Sequence, residues 1–368
     1  MPSGTVVTAE VASPMRPPAA SQPWIISRRE DLLWFQGSVV AGLALLAFFL
    51  AAPRLDAATL APGHPVVLAV FLWGVLFDGT HVWGTYARSY LAPDETSRAS
   101  LPGRRSWLLL AVGPVIAFAD ARLSAPGLLF GMFLLAAYLW AYWHLVRQHY
   151  GFVMLYRKRA GEYDARGASL DSLVLWIGCL YPFLRFALGA AYLRTGLPQL
   201  LPASWLGPLR LALDLGFGAT MIGIVGLIAS ERVEPLRLGP KHLLLAIVVS
   251  FHIAVFGFLD HLLPILATLT IFHNLQYHRI VWQYERGLGR RPSGSLGRYL
   301  AAGVALGIVW YTPRVLGAAA AHDGLACNLL LGLGWGVAFH HYLVDGRIWR
   351  VRRSASLSRA LDGGAAAR

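Results

Sequence analysis

Apolar residues recur along the chain in ten long blocks, and short polar stretches separate each block from the next. A helix needs about 20 consecutive apolar residues to cross a bilayer, and the blocks approach that length. We therefore predict an all-α fold, a polytopic transmembrane helical bundle of about ten spans. The spans are expected at about 33–52, 65–87, 106–121, 126–150, 169–190, 209–229, 240–258, 261–281, 299–319 and 324–345.

The ends of the chain differ from this apolar domain. Residues 1–24 are rich in Pro, Ala, Ser and Thr and lack an apolar period, so we predict a disordered N-terminal tail. Residues 25–350 form the predicted transmembrane domain, and residues 351–368 are predicted to be a basic, disordered C-terminal tail. No basic stretch leads directly into a short apolar core with a cleavage site, so we expect no cleaved signal peptide.

Basic residues concentrate in every second connection between the predicted spans. Loops rich in arginine and lysine remain on the cytoplasmic side of a membrane. We therefore expect both termini in the cytoplasm, and an integral protein of a bacterial inner (plasma) membrane. The basic segments are the N-terminal tail, 88–105, 157–168, 230–241, 282–298 and the C-terminal tail.

The composition excludes an ordinary soluble globule. Charged residues make up 14% of the chain and the mean hydropathy is +0.53, whereas soluble domains carry about 25% charged residues. The net charge of +13 is explained by the cytoplasmic loops, so we expect no nucleic-acid partner. Cys179 and Cys327 lie in apolar spans and form neither a disulfide framework nor a metal motif.

Histidines gather at one depth of the predicted bundle. Seven of the twelve lie in the inner half, or at the inner end, of spans two, four, eight and ten, and two aspartates share that level. Ionisable residues are costly inside a membrane, so this concentration indicates a site. Neutral imidazole is the commonest protein ligand for transition metals. The candidate ligands are His81, His144, His149, His273, His278, His340, His341, Asp78 and Asp345.

Helical geometry decides which candidates share a face. Residues three or four apart lie on one face, which holds for Asp78 with His81 and for His341 with Asp345. The pairs His144/His149 and His273/His278 are five apart, about 140° of rotation on an ideal helix. The two histidines of such a pair either bind two neighbouring metal ions, or only one of them binds a metal and the other holds a ligand in place. The set is large enough for two metal ions.

Other polar residues beside the histidines have supporting roles in this prediction. Gln148, Asn274 and Gln276 are expected to fix imidazole tautomers by hydrogen bonding. Arg147, Arg279 and Arg347 are expected to hold an anionic headgroup or carboxylate at the membrane surface, or to anchor helix ends.

Two further sets of polar residues are interpreted as structural. His252, alone in span seven, is interpreted as a packed core histidine. Asp120, Asp214 and Asp260 lie near the outer end of the bundle, where Arg185 and Arg314 are expected to pair with some of them.

The histidine pattern resembles that of a known enzyme class. His144/His149, His273/His278 and the adjacent pair His340-His341 stand at predicted cytoplasmic ends of membrane helices. This arrangement resembles that of the histidine-box integral-membrane non-haem iron oxygenases of the desaturase and hydroxylase type. It resembles the bacterial membrane carotene dioxygenases more loosely. The resemblance implies one or two iron ions that activate dioxygen, a lipid or isoprenoid substrate, and an electron donor in the cytoplasm.

Two other functions remain open at this point. A haem-binding electron-transfer protein would use one histidine from each of two helices. A transporter of metal ions or small solutes would place its site near the bilayer midplane, often at broken helices. The oxygenase is the leading prediction, because it uses more of the seven histidines than haem requires and suits their position near the inner surface.

Overall fold

A computed structural model describes residues 23–53, 64–91, 101–124, 126–230, 239–288, 296–319, 324–350, 357–358 and 360–361. Helices dominate these ranges, and no residue within them forms a β-strand. The all-α prediction is therefore confirmed for the described part of the chain.

Long helical segments occupy each of the positions at which a span was predicted. A 3-10 turn, Arg104–Leu108, leads into the third segment, and a short helix, Ala190–Leu193, follows the fifth. The segments are α1 (Arg28–Ala51), α2 (Pro65–Arg88), α3 (Leu109–Asp120), α4 (Leu128–Ala160), α5 (Ala165–Ala187), α6 (Ala203–Ser230), α7 (Pro240–Phe258), α8 (Leu262–Gly287), α9 (Leu296–Ala319) and α10 (Gly324–Ile348).

Six of these segments are long and apolar enough to cross a membrane. They are α1, α2, α4, α5, α7 and the stretch Ala203–Gly226 of α6. A chain with this many such helices is a membrane protein. α8 is more polar because it carries one of the histidine-rich stretches.

α8 lies at the centre of the bundle. It packs against α1, α2, α4 and α7, and most of its side chains between Thr268 and Glu285 are buried. Phe272 and Tyr277 are fully buried. Because neighbours surround this helix, its polar side chains face other helices rather than lipid.

α3 and α10 approach each other at backbone distance. A Cβ atom added at Gly332 of α10 would lie 2.6 Å from the carbonyl carbon of Gly113 in α3. One turn later, a Cβ atom at Gly336 would lie 2.6 Å from the Cα atom of Leu110. Small residues allow membrane helices to approach this closely. The contact fixes the position of α10, which carries His341.

A π-helical turn, Gly74–Asp78, interrupts α2 just before His81. The backbone N–H of Gly79 bonds to the carbonyl of Gly74, a spacing of five residues rather than the α-helical four. Gly307 of α9 packs directly on the backbone of this turn at Val75. The turn sets the rotation of His81 relative to the N-terminal part of α2.

Two of the three outer aspartates form ion pairs. Arg185 donates from Nε to Asp214 at 3.0 Å. Arg185 was one of the two arginines that were expected to pair with these aspartates. Arg194 donates to Asp260 at 2.8 Å, so the partner of Asp260 is an arginine that the sequence analysis did not select. Both pairs are partly exposed within the chain.

Within the described part of the chain, Asp120 caps a helix and forms no ion pair with an arginine. Its carboxylate accepts the backbone N–H groups of Gly127 at 2.7 Å and of Leu129 at 2.9 Å. These groups belong to the start of α4, where backbone donors lack helical partners. The side chain of Arg314 lies outside the described residues.

The predicted disordered tails fall mostly outside the described residues. At the C-terminal end, residues 357–358 and 360–361 are helical, and Leu357 and Leu361 are 2% and 3% exposed. This short piece packs against the bundle, which differs from the expected disordered tail. Outside the described residues lie 1–22, most of 351–368, and the basic segments 92–100, 231–238 and 289–295.

The close contact between α3 and α10 gives the first prediction. Gly332→Leu should lower the free energy of unfolding by about 1–3 kcal/mol or more, because the new side chain overlaps the α3 backbone. Gly216→Leu is the matched control, since a Cβ atom at Gly216 meets no atom within 4 Å. Thermal unfolding of both variants in one detergent measures the difference. Equal midpoints would contradict the packing described.

Candidate metal centre

Four histidines from four helices meet in the interior. They are His81 of α2, His144 of α4, His273 of α8 and His341 of α10. Ring nitrogens of His81, His144 and His273 lie within 4.8 Å of one another. His341 joins them, with its Nε2 atom 3.0 Å from Nε2 of His81 and its ring centroid 5.3 Å from that of His144. We call these four residues the histidine cluster.

The cluster is buried and short of hydrogen-bond partners. Each of its four residues is at most 7% exposed. The Nδ1 atoms of His81 and His341, and both ring nitrogens of His273, have no partner among the described protein atoms. A buried polar atom without a partner costs about 1–3 kcal/mol, so several in one place indicate a missing ligand.

A metal ion fits this donor set. Imidazole nitrogens bind an ion at about 2.0–2.1 Å, so two ligands at 90° lie roughly 3.0 Å apart. The His81–His341 nitrogen distance of 3.0 Å agrees with this geometry. Four imidazoles suit iron, copper, zinc or nickel.

Asp345 supports the cluster from outside. Gln148 donates from Nε2 to Asp345, and the same nitrogen lies 3.0 Å from Nε2 of His144. The carboxylate itself is 3.9 Å from Nε2 of His144. Asp345 therefore orients His144 through Gln148, although the sequence predicted it as a ligand. Gln148, which was predicted to fix an imidazole tautomer, thus lies between Asp345 and the ring of His144.

Asp345 is itself held by two side chains that the sequence analysis missed. Tyr277 donates its hydroxyl at 2.8 Å, and Trp349 donates its indole N–H at 2.9 Å. Tyr277 lies four residues after His273, and Trp349 lies four residues after Asp345. Helical spacing would have identified both, because residues four apart share a face.

A buried arginine completes this support. The guanidinium of Arg88 lies over the rings of Tyr284 and Trp349, at 4.2 and 4.1 Å from their centroids. It donates to the carbonyl of Ile348 at 2.9 Å, and its charge attracts the carboxylate of Asp345. The carboxylate thus has a cation nearby, as buried charges require.

His149 lies next to the cluster without joining it closely. Its ring centroid is 6.0 Å from that of His273 and 6.0 Å from that of His252. Both of its nitrogens are buried and have no hydrogen-bond partner within the described ranges. His252 is buried and has its Nδ1 atom 2.8 Å from the carbonyl of Val248, in agreement with a packed core histidine.

His278 and His340 point elsewhere. His278 bonds through Nε2 to the hydroxyl of Thr80 at 3.0 Å and through Nδ1 to that of Tyr299 at 3.2 Å. His340 stacks on Trp107, with ring centroids 4.0 Å apart, and its Nδ1 atom lies 3.1 Å from the hydroxyl of Tyr86. Their ring nitrogens are engaged by hydroxyl groups, so neither histidine is a ligand in this arrangement.

Three of the predicted supporting residues hold helices together or face outward. Gln276 donates to the carbonyl of Phe35 in α1 at 2.6 Å. Arg279 pairs with Glu30 at 3.0 Å. Arg147 is exposed, and its guanidinium lies 5.1 Å from the ring centroid of Tyr150. Arg279 therefore anchors a helix, which was one of its two predicted roles.

The remaining predicted residues are Arg347, Asp78 and Asn274. Arg347 is exposed at the end of α10. Asp78 accepts the hydroxyl of Tyr311 at 2.5 Å and faces the cavity described next. Asn274 faces the same cavity.

An apolar cavity of about 320 Å³ adjoins the histidine cluster. Its apolar walls include Val66, Val70, Leu263, Leu266 and Trp335, and all four cluster histidines contribute to its lining. Pockets for small molecules start at roughly this size and are mostly apolar with a few polar groups. An apolar molecule in this cavity would lie against imidazole side chains of a kind that can bind a metal ion.

No protein-family model, curated protein sequence or solved structure matches this chain. The site is therefore interpreted from its own geometry.

The support from Asp345 gives the second prediction. Asp345→Asn should weaken Zn²⁺ binding by about 10- to 100-fold, because partners behind a ligand typically contribute that much to metal affinity. Competition with a chelator on the purified protein measures the change. His340→Ala is the control, since His340 faces Tyr86 and Trp107, and it should retain the affinity of the unmodified chain. Equal affinities for all three proteins would overturn this role for Asp345.

Proposed function

We propose that the chain is an integral-membrane, metal-dependent oxygenase that acts on a lipid or isoprenoid substrate. One observation carries the proposal: the apolar cavity of about 320 Å³ ends on the histidine cluster. A hydrocarbon chain held in this cavity would lie next to the metal ligands.

Iron is the proposed cofactor, held by His81, His144, His273 and His341. When bound, it would supply the activation of dioxygen, which needs a redox-active metal. Four imidazoles in one cluster favour a single ion. A second ion, as the sequence predicts, would draw on His149. This residue lies beside His273, and neither of its ring nitrogens has a partner in the part of the chain that the structure describes.

The protein residues would bind, orient and exclude water. The walls around Val70, Leu266 and Trp335 favour an apolar substrate over water, because burial of apolar surface is favourable. Asp345 and Gln148 would hold the ring of His144 in one orientation. A rigid set of ligands keeps the reacting groups in register with the bound substrate.

The proposed topology has ten spans with both termini in the cytoplasm of a bacterial cell. Basic segments such as 157–168 and 282–298 would then face the cytoplasm. The histidine cluster would lie in the inner half of the membrane. A soluble electron donor would approach from the same side, and the substrate would enter from the bilayer.

The geometry favours this function over the two alternatives. The nitrogens of His81 and His341 are 3.0 Å apart, whereas the two axial ligands of a haem lie on opposite faces of the porphyrin. A transport path for ions or polar solutes would need a polar lining, and the cavity walls are predominantly apolar.

Metal analysis gives the third prediction. The purified protein should contain about one iron per chain, and His81→Ala, His144→Ala, His273→Ala or His341→Ala should each remove most of it. His278→Ala and His340→Ala are matched controls that should retain it. Atomic emission measures the iron, and Mössbauer spectroscopy distinguishes one ion from a coupled pair. Iron-free wild-type protein, or full retention in the His144 and His273 variants, would refute the proposed centre.

Lipid analysis tests the reaction itself and gives the fourth prediction. Cells that produce the wild-type chain should accumulate a lipid or isoprenoid product that is oxygenated, desaturated or oxidatively cleaved. Cells that produce the His144→Ala variant should lack this product. Mass spectrometry of lipid extracts compares the two, with ¹⁸O₂ in the gas phase to trace the source of any added oxygen. Identical extracts would contradict the assignment.

Reporter fusions give the fifth prediction. A reporter active only in the cytoplasm should be active after Gly161 and after Arg350, and inactive after Pro198, because the proposed topology puts 191–208 outside. A reporter active only outside the cytoplasm should give the reverse pattern. If either reporter were active at both Gly161 and Pro198, the two positions would lie on the same side of the membrane and the topology would be refuted.

A further inference from the structure

Asn274 carries an unsatisfied amide at the metal end of the cavity. It follows His273 on α8, is 1% exposed and lines the cavity. Its Nδ2 atom has no hydrogen-bond partner among the described residues. A carboxamide buried in apolar surroundings without a partner is costly, so its persistence beside a cavity indicates a ligand group that completes it.

Two other polar side chains in the cavity wall are already engaged. The hydroxyl of Thr270, one turn before Asn274, donates to the carbonyl of Leu266 at 2.8 Å. The hydroxyl of Tyr311 donates to Asp78 at 2.5 Å. The amide of Asn274 is therefore available to a ligand in a way that these groups are not.

The wall also restricts the charge of the ligand. No arginine or lysine is among the described residues that line the cavity, and Asp78 is an acid. Without a metal ion on the histidines, a carboxylate or phosphate inside the cavity would be buried with no cationic side chain among the described lining residues, which is strongly unfavourable. A neutral oxygen, in contrast, needs only one hydrogen bond.

We propose that the cavity binds a neutral apolar molecule that bears a hydroxyl or carbonyl oxygen, and that Asn274 holds this oxygen beside the histidine cluster. The proposal rests on the proposed function, since it narrows the substrate class of the same site. It also gives the substrate a direction. The oxygenated end lies at the histidines, and the hydrocarbon portion extends along Val70 and Leu266 towards Val66 and Leu263.

The test compares ligands of equal chain length on metal-free protein in nanodiscs. Binding of tritiated 1-dodecanol is measured by scintillation proximity, with unlabelled 1-dodecanol, dodecane and dodecanoate as competitors. The alcohol should compete about tenfold better than the alkane, as expected for one buried hydrogen bond. Dodecanoate should compete less well than the alcohol.

Two variants assign the preference to a residue. Asn274→Leu keeps a side chain of similar volume. It should lower the affinity for 1-dodecanol to that for dodecane. Trp73→Phe is the matched control, because the indole N–H of Trp73 is another buried, unpartnered donor in the cavity wall. This variant should keep the tenfold preference.

Each outcome decides the proposal. Equal binding of alcohol and alkane by the wild-type chain overturns it, and this comparison needs no variant to fold. Retention of the preference in Asn274→Leu, or its loss in Trp73→Phe, also overturns it. Iron content of the purified protein, measured before the metal is removed for the binding assay, separates the two proposals. If the protein prefers the alcohol but never binds iron, this inference stands and the oxygenase proposal fails. If it binds iron but shows no preference for the alcohol, the oxygenase proposal stands and this inference fails.

Discussion

The burial of imidazole in an apolar interior is the constraint on which this structure depends. Four rings from four helices are almost inaccessible, and their nitrogens have few protein partners. Such an arrangement is stable only if the rings share a ligand or are held rigidly against one another. The central position of α8, with His273 at its middle, and the support of His144 by Gln148 and Asp345 both serve that requirement.

Close helix contacts make the convergence possible. α10 is drawn against α3 at Gly332, and α9 meets the π turn of α2 at Gly307. Backbones at this distance leave little freedom to slide or rotate, so the histidines of α2 and α10 have fixed directions. The π turn adds a rotation that a regular helix would not supply. Without it, the face that carries His81 would turn away from the other three rings.

The sequence predicted the helices better than the site. Apolar length alone located every long helix, and α7 was predicted with its observed bounds, Pro240–Phe258. Depth in the membrane identified the four cluster histidines, because depth follows from position along a helix. Depth could not separate His341 from His340, since adjacent helical residues point about 100° apart. It also could not reveal that Thr80 and Tyr299 engage His278, because those contacts depend on how α2 and α9 pack.

The distribution of the cluster over the chain has a consequence for biogenesis. His81 and His341 touch, yet they are 260 positions apart. At a synthesis rate of about 5–20 residues per second, the first of these imidazoles waits roughly 13 to 52 seconds for the last. A complete ligand set exists only after α10 has entered the membrane. Acquisition of the proposed metal would then be a late step of assembly, and a chain cut short after α8 would insert most of its helices without ever forming the proposed centre.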